Sequence, residues 1–135
     1  MDRVGREMRS RIMSSIRSVN TGPEMSVRRA LHAAGLRYRI HVRGLPGTPD
    51  VVFPGRRLAV FVNGCFWHRC PMCRPGMPKA NREFWEAKFR GNAERDRRVL
   101  AELRAGGWDV FTVWECDVAG GVSRLLDFLG KGKNE

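Results

Sequence analysis

No apolar run in this sequence approaches the ~18 residues of a membrane-spanning helix. The opening MDRVGREMRSR lacks the apolar core of a secretory signal, so a cytoplasmic, reducing compartment is expected. In that compartment the four cysteines point to a metal or to catalysis rather than to disulfides. Acids are scarce: 14 Asp and Glu face 25 Lys and Arg, for a net charge of +11. That imbalance suggests a polyanionic partner, most simply nucleic acid. A solvated basic surface is the bland alternative. No internal repeat and no long linker divides the chain. Residues 1–135 therefore read as one domain, expected to act as a monomer, whose 42% hydrophobic content suits a soluble core.

What the chain does have is concentrated between Asn63 and Cys73, N-G-C-F-W-H-R-C-P-M-C. Three cysteines, His68 and the pair Phe66-Trp67 crowd into one Gly- and Pro-bounded loop. Buried free cysteines usually occur singly. The segment reads as a loop fixed by thiolates on a metal, presenting a histidine and two aromatics to something outside.

Around it the periodicity outlines an α/β fold. Met8, Ile12, Ile16 and Val19 predict a basic helix over 6–19, with Met13 at the edge of its stripe as either core or contact. A helix follows over 22–34, with Thr21 and Glu24 in capping-box positions and Gly35 placed to end it. Leu36–Arg43 alternates as a strand. Val51–Phe53 and Arg57–Val62 predict two buried strands joined through residues 54–57, which puts Asp50 opposite Phe61. A carboxylate entering two apolar strands caps a turn or binds a cation; His68 close by favours the cation. A long helix over 81–105 carries Trp85, Phe89, Asn92, Asp96, Val99 and Leu103 along one stripe. A buried Asp96 needs a partner: His68, or a neighbouring Arg95, Arg97 or Arg98 if the helix rotates. Trp108–Trp114 reads as a sandwiched strand. A last helix is expected over 122–129, with a frayed tail at 130–135.

Cys65, Cys70, Cys73 and Cys116 account for every cysteine. Four thiolates make a closed, structural zinc site that leaves no open position for a water. Two disulfides, or His68 replacing one thiolate, are the alternatives. Catalysis would then need a second, harder cation on oxygen ligands, with Asp50 the obvious ligand for Mg²⁺.

The stretches R-S-R-I-M-S-S-I, L-P-G-T-P-D-V-V-F, F-V-N-G-C-F-W-H-R-C-P-M-C, N-R-E-F-W-E-A-K, N-A-E-R-D and W-x-V-F-T-V-W-E-C together resemble the very short patch repair (Vsr) endonucleases over nearly the whole chain. The resemblance implies a restriction-endonuclease-like α/β fold, a central mixed sheet flanked by helices, and a structural zinc. It implies Mg²⁺-dependent nicking of one strand of double-stranded DNA at T:G mispairs left by 5-methylcytosine deamination. By motif, Asp50 would bind the metal and His68 would act on the water with Asp96 as its partner. Glu24 matches a second acid near that site. Phe66, Trp67 and Trp85 would form a wedge pushed into the base stack, and Met13 would approach DNA from the other groove. Two departures stand out. Val62 and Asn63 occupy positions where the family often has Thr-His, leaving only a main-chain carbonyl at Val62 as a possible metal ligand. Cys70 stands where the family often has a zinc-binding His. Two other readings remain: a non-enzymatic zinc-stapled DNA-binding module, and a nicking nuclease acting on undamaged sites.

Overall fold

The computed structural model describes residues 21–130; the expected helix 6–19 with Met13, and residues 131–135, lie outside the described residues. Helix α1 spans Gly22–Ala33. Its capping box is formed: the Glu24 N–H donates to Thr21 Oγ1 at 3.4 Å and the Thr21 N–H to Glu24 Oε1 at 3.2 Å. These bonds satisfy donors that an α-helix leaves open at its start. Gly35, with φ +80°, ends the helix in the left-handed region that costs glycine little.

The strand expected over 36–43 does not form. Arg39 alone bridges to Val52, with both main-chain bonds at 2.8 Å. At His41 the backbone turns left-handed (φ 55°), which ends the extended run. Leu36 and Tyr38 still pack against the core, whereas Ile40 is left 38% exposed. The alternation was real for two residues, but the backbone turn removes the rest from the sheet.

Strands β1 (Val51–Phe53) and β2 (Leu58–Asn63) pair antiparallel in the register the turn length required, Phe53 with Leu58 and Val51 with Val60. A short 3₁₀ turn over Pro54–Arg56 and a left-handed Arg57 make the connection. Strand β3 (Asp109–Trp114) pairs parallel with β2, from Leu58 beside Asp109 to Asn63 beside Trp114. Parallel neighbours require a long crossover. It consists of the four-residue helix α2 (Cys65–His68), a Pro-rich loop and the helix α3 (Arg82–Ala105). The described residues thus form a small mixed sheet, order β1-β2-β3, flanked by helices.

Side-chain alternation divides the sheet into two faces. Val51, Phe53, Leu58, Val60 and Val113 meet Val27 and Leu31 of α1 and Val122 and Leu125 of α4 (Val118–Phe128) in the main core. The opposite face carries Phe61, Val110 and Thr112, which share a cleft wall with Val99 and Leu100 of α3. Strand β3 is less enclosed than its bulky sequence suggested, with Val113 alone fully buried. Helix α4 starts four residues before the expected 122. The Asp117 side chain accepts the Gly120 N–H at 3.2 Å, and helical Gly121 lets the helix approach β3: a Cβ there would lie 2.8 Å from Val113 Cγ1. Two glycines disguised that start.

The connector before β1 seats on α3 through Gly47. Its φ is +75°, and a Cβ there would lie 2.5 Å from Val99 Cγ1. Gly47→Ala is therefore expected to cost roughly 1–3 kcal/mol, from left-handed strain and a clash with a branched side chain. Urea unfolding would measure it; an unchanged midpoint would show that the connector shifts without cost.

Candidate active site and metal-binding cluster

Between α3 and the adjoining sheet face lies a cleft of about 790 Å³. Glu24, Asp50, His68 and Asp96 all line it. They come from α1, the connector before β1, the end of α2 and the middle of α3. No two are closer than eighteen residues in sequence, so folding alone assembles them.

Asp50 lies just before the Val51–Val60 pair: its N–H donates to the Val60 carbonyl at 3.0 Å, so it does not take the expected place opposite Phe61, and its Oδ2 accepts the Val62 N–H at 2.7 Å. That bond explains how a carboxylate is held at the mouth of two apolar strands. Its pKa is nevertheless pushed up from the ordinary 3.8 to about 7. Burial is the largest cause; the Val62 N–H acts against it, and the neighbouring Glu24 carboxylate adds to it. Glu24 serves two neighbours: Oε1 belongs to the capping box, while Oε2 receives Arg28 Nη2 at 3.0 Å. The same Arg28 nitrogen lies 3.3 Å from His41 Nε2. The bland reading of Glu24 as a helix cap is thus correct, and the cap also stands beside Asp50. Val62 lines the same cleft, although its side chain packs against the opposite core.

Of the two partners open to Asp96, the structure selects His68. His68 Nδ1 lies 2.6 Å from Asp96 Oδ2, and the side chains are 27% and 41% exposed. Arg95 instead donates to Asn92 Oδ1 at 2.7 Å. With the shared proton on Nδ1, the histidine retains Nε2 as a proton acceptor.

The sulfurs of Cys65, Cys70, Cys73 and Cys116 lie within 4.8 Å of one another and could hold a metal ion. All four cysteines are free, with Cys70 and Cys116 sulfurs 3.8 Å apart, well beyond a disulfide bond. His68, engaged with Asp96, is not part of this cluster. Burial raises the thiol pKa of Cys65, Cys73 and Cys116. Burial works in the same direction on Cys70, but hydrogen bonds from the Cys73 and Met72 N–H groups and from the Cys116 and Cys73 side chains together outweigh it and bring that thiol to about 7. Four thiolates at this spacing repel one another unless a cation lies among them.

Phe66, Trp67 and Trp85 form one half-buried aromatic group. Ring centroids lie 5.1 Å apart for Phe66–Trp67, 5.4 Å for Phe66–Trp85 and 5.8 Å for Trp67–Trp85. Phe89 backs the group at 5.2 Å from Phe66. Phe66 and Trp67 also reach the cleft wall; Trp85 does not.

Three supporting residues escaped the sequence reading. Glu115 Oε1 accepts the Cys65 N–H at 3.0 Å across fifty residues. Asn92, legible only as a polar break in the α3 stripe, donates to the Trp67 carbonyl at 3.2 Å. Arg69 donates to the Pro75 carbonyl at 2.6 Å and lies 4.3 Å over the Phe89 ring. A polar residue on an apolar stripe was the one available signal, and it applied to Asn92 alone.

The profile of the family described as DNA mismatch endonuclease Vsr matches residues 1–74. The Type II nicking enzyme V.XorIIP of Xanthomonas oryzae pv. oryzae (strain KACC10331 / KXO85) is 49% identical over 119 residues, covering 87% of each chain. The Type II nicking enzyme V.NaeI of Lentzea aerocolonigenes is 44% identical over 127 residues, 90% of this chain and 76% of the relative. The DNA mismatch endonuclease Vsr of Escherichia coli (strain K12) is 38% identical over 112 residues, 83% of this chain and 72% of the relative.

The raised Asp50 pKa has a thermodynamic consequence. Below pH 3.8 the carboxyl is protonated in the folded and unfolded chains alike. From there to about pH 7 the unfolded chain gives up its proton first, so rising pH disfavours the fold, and above about 7 the full penalty remains. Asp50→Asn keeps a Val62 acceptor without the charge. It is expected to raise the thermal midpoint of the protein without added Mg²⁺ at pH 8 and leave it unchanged near pH 3. Parallel pH–stability curves for wild type and mutant would rule out this environment for Asp50.

Proposed function

The chain belongs to the family of the DNA mismatch endonuclease Vsr and is a DNA endonuclease; from that premise we propose that it nicks one strand of double-stranded DNA at T:G mispairs by Mg²⁺-dependent hydrolysis. The observation that carries this reading is the convergence of Glu24, Asp50 and the His68–Asp96 pair on one cleft. We assign the protein the restriction-endonuclease-like fold, a role in repair of deaminated 5-methylcytosine, and monomeric action in the cytoplasm. A DNA-binding module without chemistry no longer fits, since family membership makes the chain a nuclease.

Asp50, with the Val62 main-chain carbonyl and Glu24 nearby, would hold Mg²⁺. The donor set fits: these are oxygen ligands, which Mg²⁺ prefers. Bound there, the ion would neutralise charge gathering on the phosphate in the transition state. The remaining work falls to the chain. His68 Nε2 takes a proton from the attacking water, and Asp96 fixes the tautomer and favours the imidazolium that results. Phe66, Trp67 and Trp85 enter the base stack, where a weak T:G pair opens at lower cost than a sound pair. Met13 approaches from the other groove.

Cys65, Cys70, Cys73 and Cys116 are assigned to zinc. Tetrahedral Zn–S bonds of ~2.3 Å place sulfurs ~3.8 Å apart, which agrees with the 3.8 Å between Cys70 and Cys116. Such a closed site is structural. Cys116→Ser is expected to lower zinc content and thermal stability together, because the binding energy of a structural metal is folding energy. A mutant that keeps its melting temperature after losing zinc would contradict this.

Two relatives are named nicking enzymes with no mismatch in the name, and the second reading is a nicking nuclease that cuts undamaged sites. Nicking of a T:G duplex and of its T:A counterpart, each with and without Mg²⁺, separates the two. The proposal expects metal-dependent nicking of T:G alone. Asp50→Asn and His68→Ala should bind the T:G duplex but fail to cut it. Trp67→Ala should lose ~1–3 kcal/mol of preference for T:G, the worth of one base–aromatic stack. Equal cutting of both duplexes by wild type would favour the second reading.

A further inference from the structure

We infer that Glu115 is a positioning residue for His68, acting through the main chain of α2. The inference deepens the proposed reading of the cleft and rests on His68 being the group that acts on the water.

Helix α2 has four residues, and Gly64 at its N-cap provides no side-chain hydrogen bond. A single turn of that length does not hold itself in water. It must be held from outside, and the structure shows how. At its start, Glu115 Oε1 accepts the Cys65 N–H at 3.0 Å. Near its end, Asn92 Nδ2 donates to the Trp67 carbonyl at 3.2 Å. Beneath it, the Cys65 sulfur joins the thiol cluster, which includes Cys116, the residue after Glu115. Consecutive residues at the end of β3 therefore grip Cys65 twice, one by sulfur and the other by the main chain.

The two grips do different things. A sulfur cluster fixes where Cys65 sits but leaves rotation about its side-chain bonds. The Glu115 bond to the peptide N–H fixes how the helix axis is aimed. A carboxylate at a helix start also suits the partial positive charge there. Phe66 and Trp67 have their own support in the aromatic group with Trp85 and Phe89. His68 is tethered by Asp96 and by the helix it ends, so its imidazole is most sensitive to the aim of that helix. Loss of the Glu115 bond should thus impair the chemical step more than duplex binding.

The test uses full-length, zinc-loaded protein in four forms: wild type, Glu115→Gln, Glu115→Asp and Glu115→Ala. Gln keeps an acceptor at the same reach; Asp keeps the charge but falls one methylene short. Gln should nick a T:G duplex in single turnover at near the wild-type rate. Asp and Ala should be slowed about 10–100-fold at saturating duplex, the scale of a ~1 Å misplacement, with duplex affinity, zinc content and melting temperature retained. The His68 imidazole NMR resonances should coincide in wild type and Gln and move in Asp and Ala. Equal rates for Asp and Gln would overturn the inference, including the case where Ala fails to fold. A greater rate loss in Gln than in Asp would also overturn it, by making the charge rather than the acceptor decisive. If wild type does not nick the T:G duplex, the proposed function fails instead, and the NMR comparison alone then decides whether Glu115 aims His68.

Discussion

The parallel pairing of β2 with β3 is the constraint on which the site depends. It sets Asn63 beside Trp114, so the chain leaving each strand departs from the same end of the sheet. Gly64-Cys65 and Glu115-Cys116 follow at once. Antiparallel pairing would have put those exits at opposite ends, with no thiol cluster and no bond from Glu115 to the Cys65 N–H. Parallel pairing also demands a long crossover. Helix α3 meets that demand and in crossing brings Asn92 and Asp96 over α2. One topological choice therefore serves the metal cluster, the short helix and the orientation of its histidine.

Electrostatics on the far wall follow a different logic. Two carboxylates, Glu24 and Asp50, stand together in a partly desolvated cleft, an arrangement unfavourable to the fold by itself. Arg28 offsets part of that through Glu24, and the Val62 N–H offsets part through Asp50. The remainder is a site that gains from a cation. Such local cost is common where a structure serves chemistry rather than stability. The His68–Asp96 pair opposite is part-buried, joined at 2.6 Å with both groups still reaching solvent.

Conservative packing surrounds this unfavourable corner. Helices α1 and α4 close an aliphatic core over one sheet face, and the cleft occupies the other. Glycine matters at two close approaches, Gly121 against Val113 and Gly47 against Val99. The second sets the connector that delivers Asp50. The aromatic group sits where α2 meets α3, so the residues proposed to read DNA share their support with the residues proposed to cut it.

By itself the sequence determined what local rules decide. The capping box at Thr21 and Glu24, the pairing of Phe53 with Leu58 set by the turn after Phe53, the span of α3 and the grouping of three cysteines were all legible, because each depends on a few neighbouring residues. Where a local signal was diluted, reading stopped: two glycines hid the start of α4, and a left-handed His41 broke a strand that alternation favoured. Only the tertiary structure decided between His68 and a nearby arginine for Asp96, and only it brought Glu24 to Asp50 and Cys116 to Cys70. It also made Glu115 a partner of Cys65, fifty residues away. Such contacts depend on how whole elements pack, and pairing across a sheet leaves no period in the chain by which a distant partner can be read.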